Sequence, residues 1–346
     1  MRIFLFLCLL ILVSHPTNVL AQANTDSPVE HMKFLTQMEE ELSRNYMSYM
    51  SEVAHGRRAR KLEKRREQVI TSIKEALRES GKLRPFKGDA SLRDAFREYW
   101  NVLLSVFVED YHKIVDLEEV AERSYDMMEA IILTQEKVDE KLKAANAKVG
   151  AAYSLFANRH NVTLTEAETT KLNQKLKQVG LVNKYDRALY LIFFKSTVQE
   201  TLMIEALNGN NINAVEQLRS AMLKYAEEGL QRLDTTKGFN GDKSLINACQ
   251  KVLAFQKQEA GKMDALVDFH LKSDELEKIK KAFESKPAAK RTKEDVDAFN
   301  AAVNNFNASV KEYNEVNNEL NSTRTRVMEN WNLVRKRFMD QHIPRA

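Results

Sequence analysis

The chain predicts an all-α protein made of two tandem, homologous antiparallel four-helix-type bundles. Three observations carry that expectation. Glycine and proline are scarce, ten and five in 346 residues, and most fall between long periodic segments. Apolar residues recur at steps of three and four, and no segment alternates with a period of two. The stretch FKGDASLRDA (86–95) returns at 239–248 as FNGDKSLINA, with six of ten positions identical and an offset of 153 residues.

The chain opens with one basic residue, Arg2, an apolar run from Ile3 to Val13, and the small-residue site Ala21-Gln22-Ala23. That order reads as a secretory signal peptide over 1–23. The apolar run, about 11 residues, is shorter than the ~20 that a spanning helix needs. A first amphipathic helix is expected over 29–53, its stripe formed by Phe34, Leu35, Met38, Leu42, Tyr49 and Val53. A second runs from about 58 to 80 with Leu62, Val69, Ile73, Ala76 and Leu77 inward, until Gly81, Pro85 and Gly88 break it. Asp89 or Ser91 caps a third, which carries Leu92, Phe96, Tyr99, Leu103, Val106, Phe107 and Ile114. Further helix extends to about Asn158, bent or broken near 113–118, where Asp116 offers a new cap. Thr163 and Thr165 start a connecting helix that is expected to end near Gly180.

The repeat extends beyond its first match. At the same offset MSEVAHG (50–56) lies over MIEALNG (203–209), and Arg66, Glu75 and Leu77 lie over Arg219, Glu228 and Leu230. Beyond 115 the offset becomes 178: Val138, Leu142, Val149, Tyr153 and Leu155 match Val316, Leu320, Val327, Trp331 and Leu333. The extra chain in the second copy is placed near ESKPAAKRTKED (284–295). The expected organisation is a first bundle over 24–162, a helical linker over 163–182 and a second bundle over 183–346. FKGD and FNGD then mark one joint, with glycine for the tight backbone, aspartate or serine for the cap, and phenylalanine folding back onto the bundle.

Composition excludes some functions. A formal net charge of +4 gives no bulk attraction for nucleic acid, and export makes that partner unexpected. Without the leader one cysteine remains, Cys249, within a helical apolar pattern, and it reads as a buried, inert thiol. No Gly-x-Ser-x-Gly elbow, Gly-rich phosphate loop or Cys-x-x-Cys pair occurs, so no enzyme and no cofactor are expected. Paired carboxylates such as Glu39–Glu41 and Glu118–Glu119 read as solvated helix faces.

Two constellations merit weighing. Arg57, Arg58, Arg60, Lys61, Lys64, Arg65 and Arg66 crowd the start of the second helix, whereas the matching NNINAVEQLR (210–219) has one basic residue. The fold therefore does not need that charge, and the run is a candidate docking face for an anionic partner, against a plain solvated face. Arg335, Lys336 and Arg337 form a weaker cluster. The Glu-x-x-His pairs Glu52/His55 and Glu109/His112 are the alternative metal set, because di-iron bundles use two such motifs. Stepping about 100° per residue from Leu103 puts His112 about 180° away from the core stripe, which counts against it. Tyr46, Tyr49, Tyr99, Trp100, Phe107 and Tyr111 form aromatic core or the lining of a ligand site. An internal polar residue facing them would favour the ligand.

The strings PFKGDASLRDAFREYW (85–100), FVEDYHKIV (107–115) and FANRHNVTL (156–164) resemble the LIC family of exported bacterial surface proteins, helical proteins of unassigned function. The likeness covers about 30–164, and the second copy keeps FNGDKSL without a match to FANRHN. It implies a bacterial periplasmic or surface location and brings no catalytic residues. The expected function is non-enzymatic binding or scaffolding of an envelope or surface component. The alternative is a small-ligand or metal-binding periplasmic carrier or sensor.

Overall fold

The computed structural model describes residues 27–55, 58–110, 124–164 and 171–346. The leader at 1–23 and the expected bend near 113–118 lie outside them. The described chain is all-α, with eight α-helices: α1 (Pro28–His55), α2 (Ala59–Lys82), α3 (Ser91–Ser105), α4 (Tyr125–Arg159), α5 (Lys171–Asn208), α6 (Ile212–Thr235), α7 (Ser244–Ser285) and α8 (Lys293–His342). A π turn, Val106–Asp110, follows α3, and a 3-10 turn, Ala288–Lys290, separates α7 from α8. No described helix is long and apolar enough to cross a membrane.

Two compact units result, one taking the chain up to Arg187 with Lys336–Ala346, the other Ala188–Arg335. This division differs from the expected linker at 163–182. Gly180 does not end a helix; α5 runs through it. An interior glycine costs a helix about 1 kcal/mol, and here Val179 and Val182, both buried, hold the turn in place.

In the first unit α1 packs along α2, α2 along α3 and α3 along α4. The expected stripes meet in its core: Leu35 and Leu42 of α1, Val69 and Ile73 of α2, Leu92, Tyr99, Trp100 and Leu103 of α3, and Leu142 and Phe156 of α4. Each such side chain contributes about 1.5–3 kcal/mol by leaving water. In the second unit α6 packs along α7, and Met203, Val215, Met222, Phe255, Met263 and Leu320 share one apolar cluster. Cys249 is buried there; its Sγ–H points to the Leu189 carbonyl at 3.8 Å, and burial pushes the thiol up to about 12.

The joint has the same geometry in both units. Phe86 and Asp89 exchange both backbone hydrogen bonds, at 3.1 and 2.9 Å, as do Phe239 and Asp242, at 2.9 Å each. The residues between them sit at positive φ, Lys87 at 49° and Gly88 at 85°, Asn240 at 48° and Gly241 at 88°. That is the turn that favours Asn-Gly. The aspartate then accepts from the backbone N–H two residues on, Ser91 at 2.9 Å and Ser244 at 2.7 Å. Phe86 folds back as expected, edge-on to Phe156 at 5.9 Å and to His160 at 4.9 Å, and His31 stacks on Phe156 at 5.3 Å. These contacts give FKGD and FANRHN a packing role.

The second half holds the two longest described helices. α7 and α8 run 42 and 50 residues, and the break between them falls at the expected lysine-rich stretch. Phe283 stacks on Phe299 at 4.9 Å and Phe269 lies 4.5 Å from Tyr313, which brings the two helices together at these points.

Candidate functional site

Glu39 is the main departure from the sequence expectation. Of the pair expected to face solvent, Glu41 does, but Glu39 is 2 % exposed. The reason is period: Glu39 lies four residues after Leu35 and three before Leu42, on the buried stripe itself. Trp100 of α3 donates its indole N–H to Glu39 Oε2. Burial pushes the carboxyl up to about 8, with the Trp100 hydrogen bond opposing, so Glu39 is protonated at neutral pH. Beside it the Tyr99 hydroxyl lies well above its ordinary range, through burial first and then through Glu39 and Tyr46. Glu39 Oε1, Ser43 Oγ and Tyr99 Oη are buried and have no hydrogen-bond partner among the described residues.

Around this centre stand the expected aromatic side chains. Tyr46 and Tyr49 meet the Phe107 ring edge-on, at 6.1 and 5.8 Å. Phe96 lies 5.3 Å from Trp100. Tyr111 lies outside the described residues. The internal polar residue facing the aromatic core is therefore present, and its signal in the sequence was position in the stripe, not residue type.

A second buried polar centre, also missed, occupies the other unit. Arg324 of α8 donates Nε–H to Glu200 Oε1 of α5 at 2.6 Å and Nη2–H to Glu259 Oε1 of α7. Gln256 Nε2 donates to Glu200 Oε2 at 2.8 Å, and Ser196 Oγ donates to Gln256 Oε1 at 2.6 Å. Burial and the neighbouring Glu200 raise Glu259 against the pull of Arg324. One cation thus serves two buried acids: Arg324 balances one carboxylate, and the raised Glu259 keeps its proton at neutral pH.

The basic run divides by role. Arg58, Arg60 and Lys64 are exposed and unpaired among the described residues; Arg57 lies outside them. Lys61 pairs with Glu52 at 2.8 Å, and Arg65 donates to Gln68 Oε1 at 2.9 Å. Arg66 is buried: it bonds Glu63 and donates Nη1–H to the Phe107 carbonyl of the π turn at 2.9 Å. Its match, Arg219, likewise bonds the acid three residues back, Glu216, and also Asp264. Arg66 therefore serves packing. Lys336 and Arg337 of the weaker cluster belong to the first unit, whereas Arg335 belongs to the second, its guanidinium 6.0 Å from the Tyr190 ring centroid.

The alternative metal set does not converge among the described residues. His55 has Asp340 Oδ1 at 2.8 Å from Nδ1 and the Ile343 carbonyl at 3.1 Å from Nε2, so both ring nitrogens are engaged. Glu52 holds Lys61, Glu109 is exposed and accepts from Ser105 Oγ at 3.2 Å, and His112 lies outside the described residues. No described group of three or more His, Cys, Asp or Glu side chains is placed to hold a metal ion. Comparison of the chain with family models, curated proteins and solved structures finds no match.

Proposed function

We propose that this is an exported, non-enzymatic protein that binds or scaffolds a component of the bacterial envelope or surface. In this reading the chain is a duplicated helical bundle, and its first copy carries the docking face. The twin joints and the matched pairs Glu63/Arg66 and Glu216/Arg219 support the duplication. So does the matched outward placement of Leu155 and Leu333, 46 % and 48 % exposed. The resemblance to the LIC surface proteins supports the location.

One observation carries the docking face: Arg58, Arg60 and Lys64 stand exposed without acidic partners among the described residues, where the matched positions are Asn211, Asn213 and Gln217. A multivalent anion, such as a phosphate- or uronate-bearing polymer, is the partner such a face recognises. The test is binding of the full mature chain to polyphosphate at about 50 and 200 mM salt. Arg58→Gln, Arg60→Gln and Lys64→Gln together should weaken binding at least tenfold at low salt and flatten the salt dependence. Unchanged binding refutes the docking face. A second reading, a small-ligand carrier or sensor, is favoured by Glu39, the internal polar residue within the aromatic core.

A further inference from the structure

Among the described residues an arginine meets three shielded acids, whereas none meets Glu39. Asp139 of α4 has Arg187 at 3.2 Å, and Glu200 and Glu259 share Arg324. Among the described residues burial and the neutral Trp100 indole act on Glu39; the titratable group that feels its charge is Tyr99, which Tyr46 also faces. At the position matched to Arg324 the first copy has Asn146. A carboxyl in low dielectric needs one positive charge, and a proton is the cation of last resort.

The oxygens beside it are equally short of partners. Ser43 lies one turn from Glu39 on α1, and buried Tyr99 of α3, next to Trp100 in sequence, is close enough to feel the Glu39 charge. Ser196, the match of Ser43, has Gln256 as partner, whereas Ser43 Oγ has none among the described residues. Buried polar atoms are nearly always paired, and a carboxyl oxygen left bare together with the hydroxyls of Ser43 and Tyr99 calls for a common ligand. One carboxylate matches a monovalent charge; a divalent ion would leave a net buried charge. The oxygens are hard donors, and the Trp100 ring beside Glu39 favours a large, weakly hydrated cation.

We propose that Glu39, Ser43 and Tyr99 bind one monovalent cation of potassium or ammonium size, in exchange with a proton. This goes beyond the docking face and does not depend on it. The test is equilibrium dialysis of the full mature chain with rubidium, in tetramethylammonium chloride to hold ionic strength. One rubidium ion per chain is expected at pH 9. With the competing proton leaving at about 8, affinity at pH 6 should be on the order of a hundredfold lower. Glu39→Gln should abolish binding, and Tyr99→Phe, which keeps the ring and the packing, should weaken it at least tenfold. No rubidium at pH 9 overturns the proposal and leaves the proton as sole occupant. Binding that survives both Glu39→Gln and Tyr99→Phe overturns it as well.

Discussion

Replacing Glu39 by glutamine tests the burial argument at its strongest point. The amide keeps the shape, its carbonyl still accepts from Trp100, and its NH₂ can donate to the bare oxygens of Ser43 and Tyr99. What disappears is the titration. In the folded protein the carboxyl is raised from the ordinary 4.5 to about 8, so the native state holds a proton that the unfolded chain releases. A raised folded value means that stability is complete below pH 4.5, falls as pH rises, and levels off above about 8. At about 1.36 kcal/mol per pH unit, the whole fall amounts to about 5 kcal/mol, of which about 3 is already lost at pH 7. The assay is urea unfolding of both proteins from pH 5 to 9 in tetramethylammonium chloride, taking the difference so that other titrating groups cancel. The glutamine variant should gain on the wild type by about 1 kcal/mol per pH unit up to pH 8, then hold. A difference that stays flat across the range means that Glu39 ionises within the fold at its ordinary value, and the reasoning fails.

Two further perturbations probe the second unit. Arg324→Met strands Glu200 and Glu259 without their cation and should cost about 3–5 kcal/mol in thermal or urea unfolding. Adding Glu200→Gln and Glu259→Leu should return most of that loss, because the penalty is the unpaired charge. Gly229→Ala places a Cβ 2.9 Å from Leu253 Cδ1 and 3.2 Å from Ile192 Cγ2, so the fully buried Leu253 side chain or α6 must give way, and about 1–3 kcal/mol should be lost despite the better helix former. A stabilised alanine variant would mean that the helices are not held at this distance.

What the sequence disclosed follows from which forces are local. The FKGD and FNGD joints were legible because Gly88 and Gly241 answer a backbone demand, positive φ, that only a few residue types satisfy. The stripes of α1 to α3 were legible because period alone places Leu35, Ile73 and Leu103. Glu39 was misplaced because its charge was weighed above its position between Leu35 and Leu42, and a single acid in a stripe is affordable where Trp100 meets it. Arg66 was grouped with its basic neighbours, since its acceptor, the Phe107 carbonyl, lies in a π turn 41 residues away that no local pattern announces. The engagement of His55 by Asp340 spans 285 residues, beyond any spacing argument. Gly180 failed as a helix stop because the burial of Val179 and Val182 outweighs a propensity cost of about 1 kcal/mol.

On the duplication reading, the two halves separate what the fold requires from what it merely permits. The joint turn recurs with the same geometry, and the acid–arginine pair on the second helix of each unit recurs at the same spacing, closer in Glu63/Arg66 than in Glu216/Arg219. The exposed cations Arg58, Arg60 and Lys64 do not recur, and neither does the solution to a buried acid. One unit supplies Arg324 from its own chain; in the other, Glu39 meets Trp100 and no cation among the described residues. A fold that closes its core with an internal ion pair in one copy had that option in the other. The features of the first unit that cost stability without serving the shared architecture are thus the ones to which function is assigned. They are a basic face outside, unpaired among the described residues, and, inside, a carboxyl that keeps its proton at neutral pH and has no cation among the described residues.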